Sequence, residues 1–126
     1  MRLLEGRIFF TAIPLHRNRM RQRGYNQAEV LGLGLAERLG KRFEGGVLMR
    51  MRQTAPQFGL SKKEREENVR GAFVLREGWG EGLGGSDVVF LVDDIVTVGA
   101  TFREAAKVLK KAGVRSVYGV AFAHGK

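Results

Sequence analysis

Cysteine is absent from this chain of 126 residues, which rules out disulfides and thiolate zinc sites. No apolar run approaches the roughly 20 residues that a membrane helix needs. The opening Met-Arg-Leu-Leu-Glu-Gly-Arg lacks the apolar core of a signal peptide. A cytoplasmic protein without membrane contact is the expectation. There is no internal repeat, no low-complexity tail, no Gly-x-Gly-x-x-Gly and no Gly-Lys-Thr, so repeat arrays, dinucleotide fingerprints and Walker loops are set aside. Proline occurs twice, at Pro14 and Pro56. Acids are also scarce: 13 Asp and Glu stand against 22 Lys and Arg, a net charge of +9. That excess suits anionic partners, either nucleic acid or small molecules carrying several phosphates, or else only a soluble surface. Length and 44% hydrophobic content fit one folded domain spanning residues 1–126.

The most informative stretch is Val88–Thr101, Val-Val-Phe-Leu-Val-Asp-Asp-Ile-Val-Thr-Val-Gly-Ala-Thr. Five apolar residues in a row read as a strand buried on both faces of a parallel sheet. Two aspartates should end it, placing Asp93 and Asp94 at the carboxyl edge, where open α/β sheets bind ligands. A carboxylate pair there could bind a divalent cation or accept hydrogen bonds from sugar hydroxyls. The loop Thr97–Thr101 then offers backbone N–H groups, two hydroxyls and a glycine at the start of a helix, a combination that suits a phosphate.

Elsewhere, Ile8–Pro14 reads as a second buried strand. Arginine follows at every second position from Arg17 to Arg23, in what reads as a loop ended by Gly24. Asn26 caps a helix whose apolar face is Ala28, Leu31, Leu35 and Leu39, with Gly32 and Gly34 accepted for close packing on the sheet. Val47–Arg52 alternates as a strand, and Gln53–Leu60 is a loop. Ser61-Lys-Lys-Glu64 opens a short charged helix through about Val69. Ala72–Leu75 is a brief strand, and Arg76–Ser86 is a glycine-rich surface turn. Phe102, Ala105, Ala106, Leu109 and Ala112 line a helix ending at Gly113, and Ser116–Phe122 is a final strand. The order predicts an α/β fold, a mostly parallel sheet flanked by helices.

Val88–Thr101 resembles the phosphoribosyl-pyrophosphate (PRPP) motif of type I phosphoribosyltransferases. Ile13-Pro-Leu-His-Arg, Arg21-Gln-Arg-Gly-Tyr-Asn-Gln-Ala and the run Gln53–Phe73 are similar to the ComF-type competence proteins, a branch of that superfamily. The resemblance implies a Rossmann-like phosphoribosyltransferase fold without a hood domain. It implies that Asp93 and Asp94 hold the ribose hydroxyls and that Thr97, Val98, Gly99, Ala100 and Thr101 cradle the 5′-phosphate. Leu15, His16 and Arg17 fall where the superfamily binds pyrophosphate, Gln53–Arg70 corresponds to a closing loop, and Mg²⁺ accompanies PRPP. No residue is assigned a catalytic role, and no direct metal ligand is implied. Two functions follow: a Mg²⁺-dependent phosphoribosyltransferase of unread acceptor, or a non-enzymatic DNA-uptake module touching single-stranded DNA or a competence partner protein. The arginines Arg17–Arg23 fit a solvated face, pyrophosphate or a nucleic-acid backbone, with Tyr25 placed to stack a base. His16 is a candidate by position only, and His124 has no partner visible in the sequence. ComF-type proteins often begin with a zinc ribbon and a helix that have no counterpart here, so a sheet face or edge open to a partner chain or a second copy is expected.

Overall fold

A computed structural model describes residues 6–52, 59–79, 82–96 and 99–124. Four parallel strands form the main sheet in the order β2 (Arg42–Phe43), β1 (Ile8–Ala12), β5 (Val88–Val96) and β6 (Ser116–His124). Two further strands, β3 (Leu48–Arg50) and β4 (Phe73–Leu75), pair antiparallel as a separate ribbon. The helices are α1 (Arg17–Arg23), α2 (Gln27–Leu39), α3 (Lys62–Val69) and α4 (Ala100–Lys111). Apart from the short edge strand β2 and the helical α1, the elements follow the order read from the sequence.

Alternation along the strands sends neighbouring residues into two cores. Phe9, Val89 and Leu91 face α4 and the β3–β4 ribbon, together with Ala105, Leu109, Val47 and Phe73. Phe10 and Val92 face α2, packing with Ala36. The glycine-rich turn after β4 is less of a surface feature than its composition predicts. Trp79 packs on Phe9 with ring centroids 5.7 Å apart, and Leu83 is buried. Asp87 closes this end of the sheet. Its carboxylate accepts from the Arg7 N–H at 2.8 Å and the Gly84 N–H at 2.9 Å, and it pairs with the Arg7 guanidinium at 3.1 Å.

Helix α2 departs from the expected leucine face. Its buried positions are Ala28, Gly32 and Ala36, while Leu39 is 57% exposed. The reason is distance: only small residues let the helix axis come this close to the strands. A β-carbon on Gly32 would sit 2.9 Å from the Phe43 ring and 3.3 Å from Val92, whereas one on Gly34 would meet nothing within 4 Å. Close packing therefore explains Gly32 and not Gly34. The same face of the sheet is open over β5 and β6. Phe10, Phe90 and Tyr118 stack across three strands at 4.9 and 5.4 Å, and Tyr118 and Phe122 are about half exposed.

The two glycines should respond oppositely to alanine. Gly34→Ala should stabilise the protein by about 1 kcal/mol through helix propensity. Gly32→Ala should destabilise it by roughly 1–3 kcal/mol through overpacking. Urea unfolding of the two variants checks this.

Candidate functional site

The site begins where β1 stops. β5 pairs with β1 as far as Ala12↔Val92, and the Ile13 N–H donates to the Val92 carbonyl at 2.9 Å. Beyond that point only β6 continues, from Asp93↔Ala121 to Val96↔His124. The aspartates thus do not end the strand, contrary to the expectation from sequence. The ladder to β6 needs only backbone groups, and it carries the pair past the end of β1. Asp93 is half-buried and accepts from the Asp94 N–H at 2.9 Å. Burial, and then the neighbouring Asp94 carboxyl, push the Asp93 pKa up to about 7, while the positive charge of Arg50 pulls it partly back.

Two residues after β5 lie outside the described residues, Thr97 and Val98, so their expected phosphate contacts have no structural counterpart here. The chain resumes at Gly99, the N-cap of α4, with φ of 79°. That left-handed conformation favours glycine, and a β-carbon there would also lie 3.1 Å from the Arg103 guanidinium. Among the described residues no side chain caps α4, and its first turn holds no acid. The backbone N–H groups of Ala100 and Thr101 stand at the positive end of the α4 dipole.

On the other side of the acidic pair, the loop after β1 runs directly into α1. Alternating arginines read as a loop, but the run is helical because both ends are capped. The His16 Nδ1 accepts from the Asn18 N–H at 3.2 Å, and Gly24, at φ of 79°, donates to the Met20 carbonyl at 2.7 Å. Capping also gives His16 a structural role. Asn26 is buried, its side chain accepting from the Ala28 N–H and donating to the Ile13 carbonyl, each at 3.0 Å. One side chain thus caps α2 and holds the loop before α1. On the helix, Arg17 and Arg21 fall four apart, and both line a cavity of about 480 Å³ between α1 and β3. Leu15 and His16 line it as well.

The opposite wall of the cavity supplies Arg50, whose guanidinium lies over the Phe73 ring at 4.8 Å. Its Nε is buried and has no hydrogen-bond partner among the described residues. Burial lowers its pKa and Arg19 pushes the same way, while Asp93 opposes both. Three distant segments thus place Asp93, Arg50 and Arg19 in one electrostatic group.

No protein-family model matches the chain. Curated relatives do. Competence protein F of Haemophilus influenzae is 38% identical over 105 residues, 83% of this chain and 45% of that protein. DNA utilization protein YhgH of Escherichia coli is 34% identical over 106 residues, 84% of this chain and 44% of that protein. Competence protein ComFC of Streptococcus pneumoniae is 32% identical over 108 residues, 86% of this chain and 44% of that protein. The chain is a homologue of the ComF-type competence proteins. It spans less than half the length of these relatives. Among solved structures, glutamine PRPP amidotransferase from B. subtilis, complexed with ADP and GMP, superposes with a TM-score of 0.53 at 22% identity. The match covers 94% of this chain and 22% of that one. At that identity the likeness establishes the fold, that of type I phosphoribosyltransferases.

Within this ComF-type domain, the structure places Asp93 and Asp94 on β5 and Gly99, Ala100 and Thr101 at the start of α4. Leu15, His16 and Arg17 gather instead at the cavity. Of the proposed closing loop, residues 53–58 lie outside the described residues. The part from Ser61 onward is helix α3, set by a capping box in which the Ser61 N–H donates to Glu64 at 2.8 Å and the Glu64 N–H to Ser61 at 3.1 Å. Val69 and Arg65 are buried, and Glu66 pairs with Arg103 of α4 at 3.7 Å, so this segment is a helix packed against α4 on one face. Arg50 was missed, since in sequence it marks only the wetter face of a strand. No local signal distinguishes it from Arg52.

The raised Asp93 pKa has a consequence for stability. An acid whose folded pKa exceeds its unfolded value near 4 binds extra protons in the native state, so stability falls as pH rises from about 4 to about 7 and then levels off. Asp93→Asn should therefore melt higher than wild type at about pH 8, with the gap closing toward pH 4. Thermal unfolding across that range measures it.

Proposed function

We propose that this domain binds a phosphorylated ribose, and that PRPP is the ligand its chemistry suits best. The observation carrying this reading is the β5–α4 junction. A half-buried carboxylate pair is followed by a helix N-terminus entered through a glycine at positive φ, with no acid in its first turn. Asp93 and Asp94 would accept hydrogen bonds from the ribose hydroxyls. The N–H groups of Gly99, Ala100 and Thr101, with Thr97 and Val98, would take the 5′-phosphate. Leu15, His16 and Arg17 would face the pyrophosphate. Among the described residues, no three His, Asp or Glu gather into a metal cluster. Mg²⁺ would be held by the phosphates of the ligand, and it would supply neutralisation of the pyrophosphate charge. The reading extends to Mg²⁺-dependent transfer of the phosphoribosyl group to an acceptor, with the cationic cavity stabilising the departing pyrophosphate.

Calorimetric titration of PRPP with Mg²⁺ tests the reading. Wild type should bind, the Asp93→Asn/Asp94→Asn variant should lose about ten-fold or more in affinity, and wild-type binding should tighten as Asp93 ionises through about pH 7. No binding to wild type would overturn it.

A second reading is favoured by α1, which carries four arginines and no acid and lies largely exposed beside the half-exposed Tyr25. This is the footprint of a sequence-independent phosphate-backbone contact, and the relatives carry competence and DNA-utilization names. In this reading the domain is a DNA-uptake module that binds single-stranded DNA. Oligonucleotide affinity should then fall steeply with salt, and Arg19→Ala/Arg23→Ala should flatten the slope by about two phosphate contacts. A salt-insensitive signal would reject it.

A further inference from the structure

The two edges of the main sheet are built differently. β2 is two residues long, follows Lys41, and carries Arg42, whose guanidinium pairs with Glu44 at 2.5 Å. A short, charged edge resists pairing with another chain. β6, at the other edge, runs nine residues, Ser-Val-Tyr-Gly-Val-Ala-Phe-Ala-His, with no Lys, Arg, Asp, Glu or Pro. It keeps one register along the whole of β5, without a bulge. In a chain that is 28% charged, this edge lacks the devices that ordinarily blunt one. Among the described residues no strand pairs with its outer side, and Tyr118, Gly119, Ala121, Phe122 and Ala123 are exposed.

The strand is also complementary to itself. Alternation puts Tyr118, Val120 and Phe122 on the open face, where Phe90 stacks on Tyr118. The other face is covered by α4, whose Phe102 ring lies 3.2 Å from the place of a β-carbon on Gly119. Antiparallel pairing centred on Val120 sets Tyr118 opposite Phe122 of a second copy, and Phe122 opposite its Tyr118. Gly119 then meets Ala121, small against small. The two aromatic pairs extend the stacked row Phe10–Phe90–Tyr118 of each copy. A net charge of +9 opposes association wherever cations meet, and this register brings none of the strand's residues into such a meeting. The half-exposed Tyr118 and Phe122 hold on the order of 100 Å² each. With the backbone and alanines beside them, the paired area stays below the ~800 Å² per partner of a standard interface, so affinity on the order of micromolar is expected.

We propose that β6 is the interface of a two-fold dimer of this chain. Two copies pair β6 to β6, antiparallel and centred on Val120, and join their four-stranded sheets into one of eight strands. The strands of the two copies run in opposite directions, so the two Asp93 sites lie at opposite ends of the joined sheet. The dimer therefore rests on neither functional reading and lends no residue to the ribose-phosphate site.

Sedimentation equilibrium of the chain, from micromolar to submillimolar concentration, should show a monomer–dimer equilibrium. Tyr118→Lys/Phe122→Lys should weaken the dimer at least about ten-fold by setting like charges against each other. Tyr118→Lys/Phe122→Glu, equally polar, should dimerise more tightly than that variant at low salt, because the register opposes its two new charges. Both positions are exposed, and retained amide NMR dispersion verifies that the variants are folded. The natural chain has no cysteine, so a single introduced thiol reads the register directly. Val120→Cys should form a disulfide-linked dimer under mild oxidation, its Cα atoms facing each other at about 5 Å. Tyr118→Cys should not, because its two copies would stand roughly 14 Å apart. A monomer at every concentration would overturn the proposal. So would a dimer that the double-lysine variant leaves intact, one that both double variants abolish alike, or a crosslink at position 118 in place of 120.

Discussion

β5 outruns β1, and the site depends on that mismatch. The two strands part after Val92, and among the described strands only β6 pairs with Asp93–Val96. Had β1 continued, its backbone and side chains would have filled the space beside Asp93. Because it stops, the loop Ile13–His16 turns away and leaves a gap into which the β3–β4 ribbon and α1 project their arginines. The cations line that gap, while the carboxylates lie on the part of β5 that outruns β1.

Keeping it open requires several anchors of modest size. Asn26 binds the Ile13 carbonyl and the first turn of α2 with one side chain, so the loop after β1 and the helix behind it move together. Phe73 lies under the Arg50 guanidinium and keeps it from retreating into bulk water. Phe73 in turn belongs to the core shared with α4, whose N-terminus is the proposed phosphate site. The core that stabilises the sheet thus also positions both charged walls. Partial burial then sets their chemistry: it raises the Asp93 pKa and lowers that of Arg50, each shift limited by the other's charge.

Reading the chain in one dimension succeeded wherever the signal was local. The strand–acid–glycine–helix run, the Ser61 and Asn26 caps and the α4 face are defined by neighbours within a turn or two, and all stand in the structure. It failed where packing overruled pattern. The leucines of α2 suggested a face that the close approach of the sheet gives to Ala28, Gly32 and Ala36. The alternating arginines suggested a loop, yet His16 and Gly24 cap them into a helix that sorts Arg17 and Arg21 to the cavity and Arg19 toward Arg50.

The sequence by itself determined the order of most elements, the buried strand with its carboxylates running into a glycine-started helix, and the surplus of positive charge. Each follows from residue chemistry and spacing along the backbone. Only the tertiary structure decided which charges meet. Asp93, Arg50 and Arg19 come from three elements separated by dozens of residues. Nothing in their local pattern encodes the distances on which an electrostatic interaction depends, nor the burial that strengthens it. The same holds for the arginine-lined cavity and for the open aromatic face of β5 and β6. Both are made by surfaces that pack, or fail to pack, across the fold.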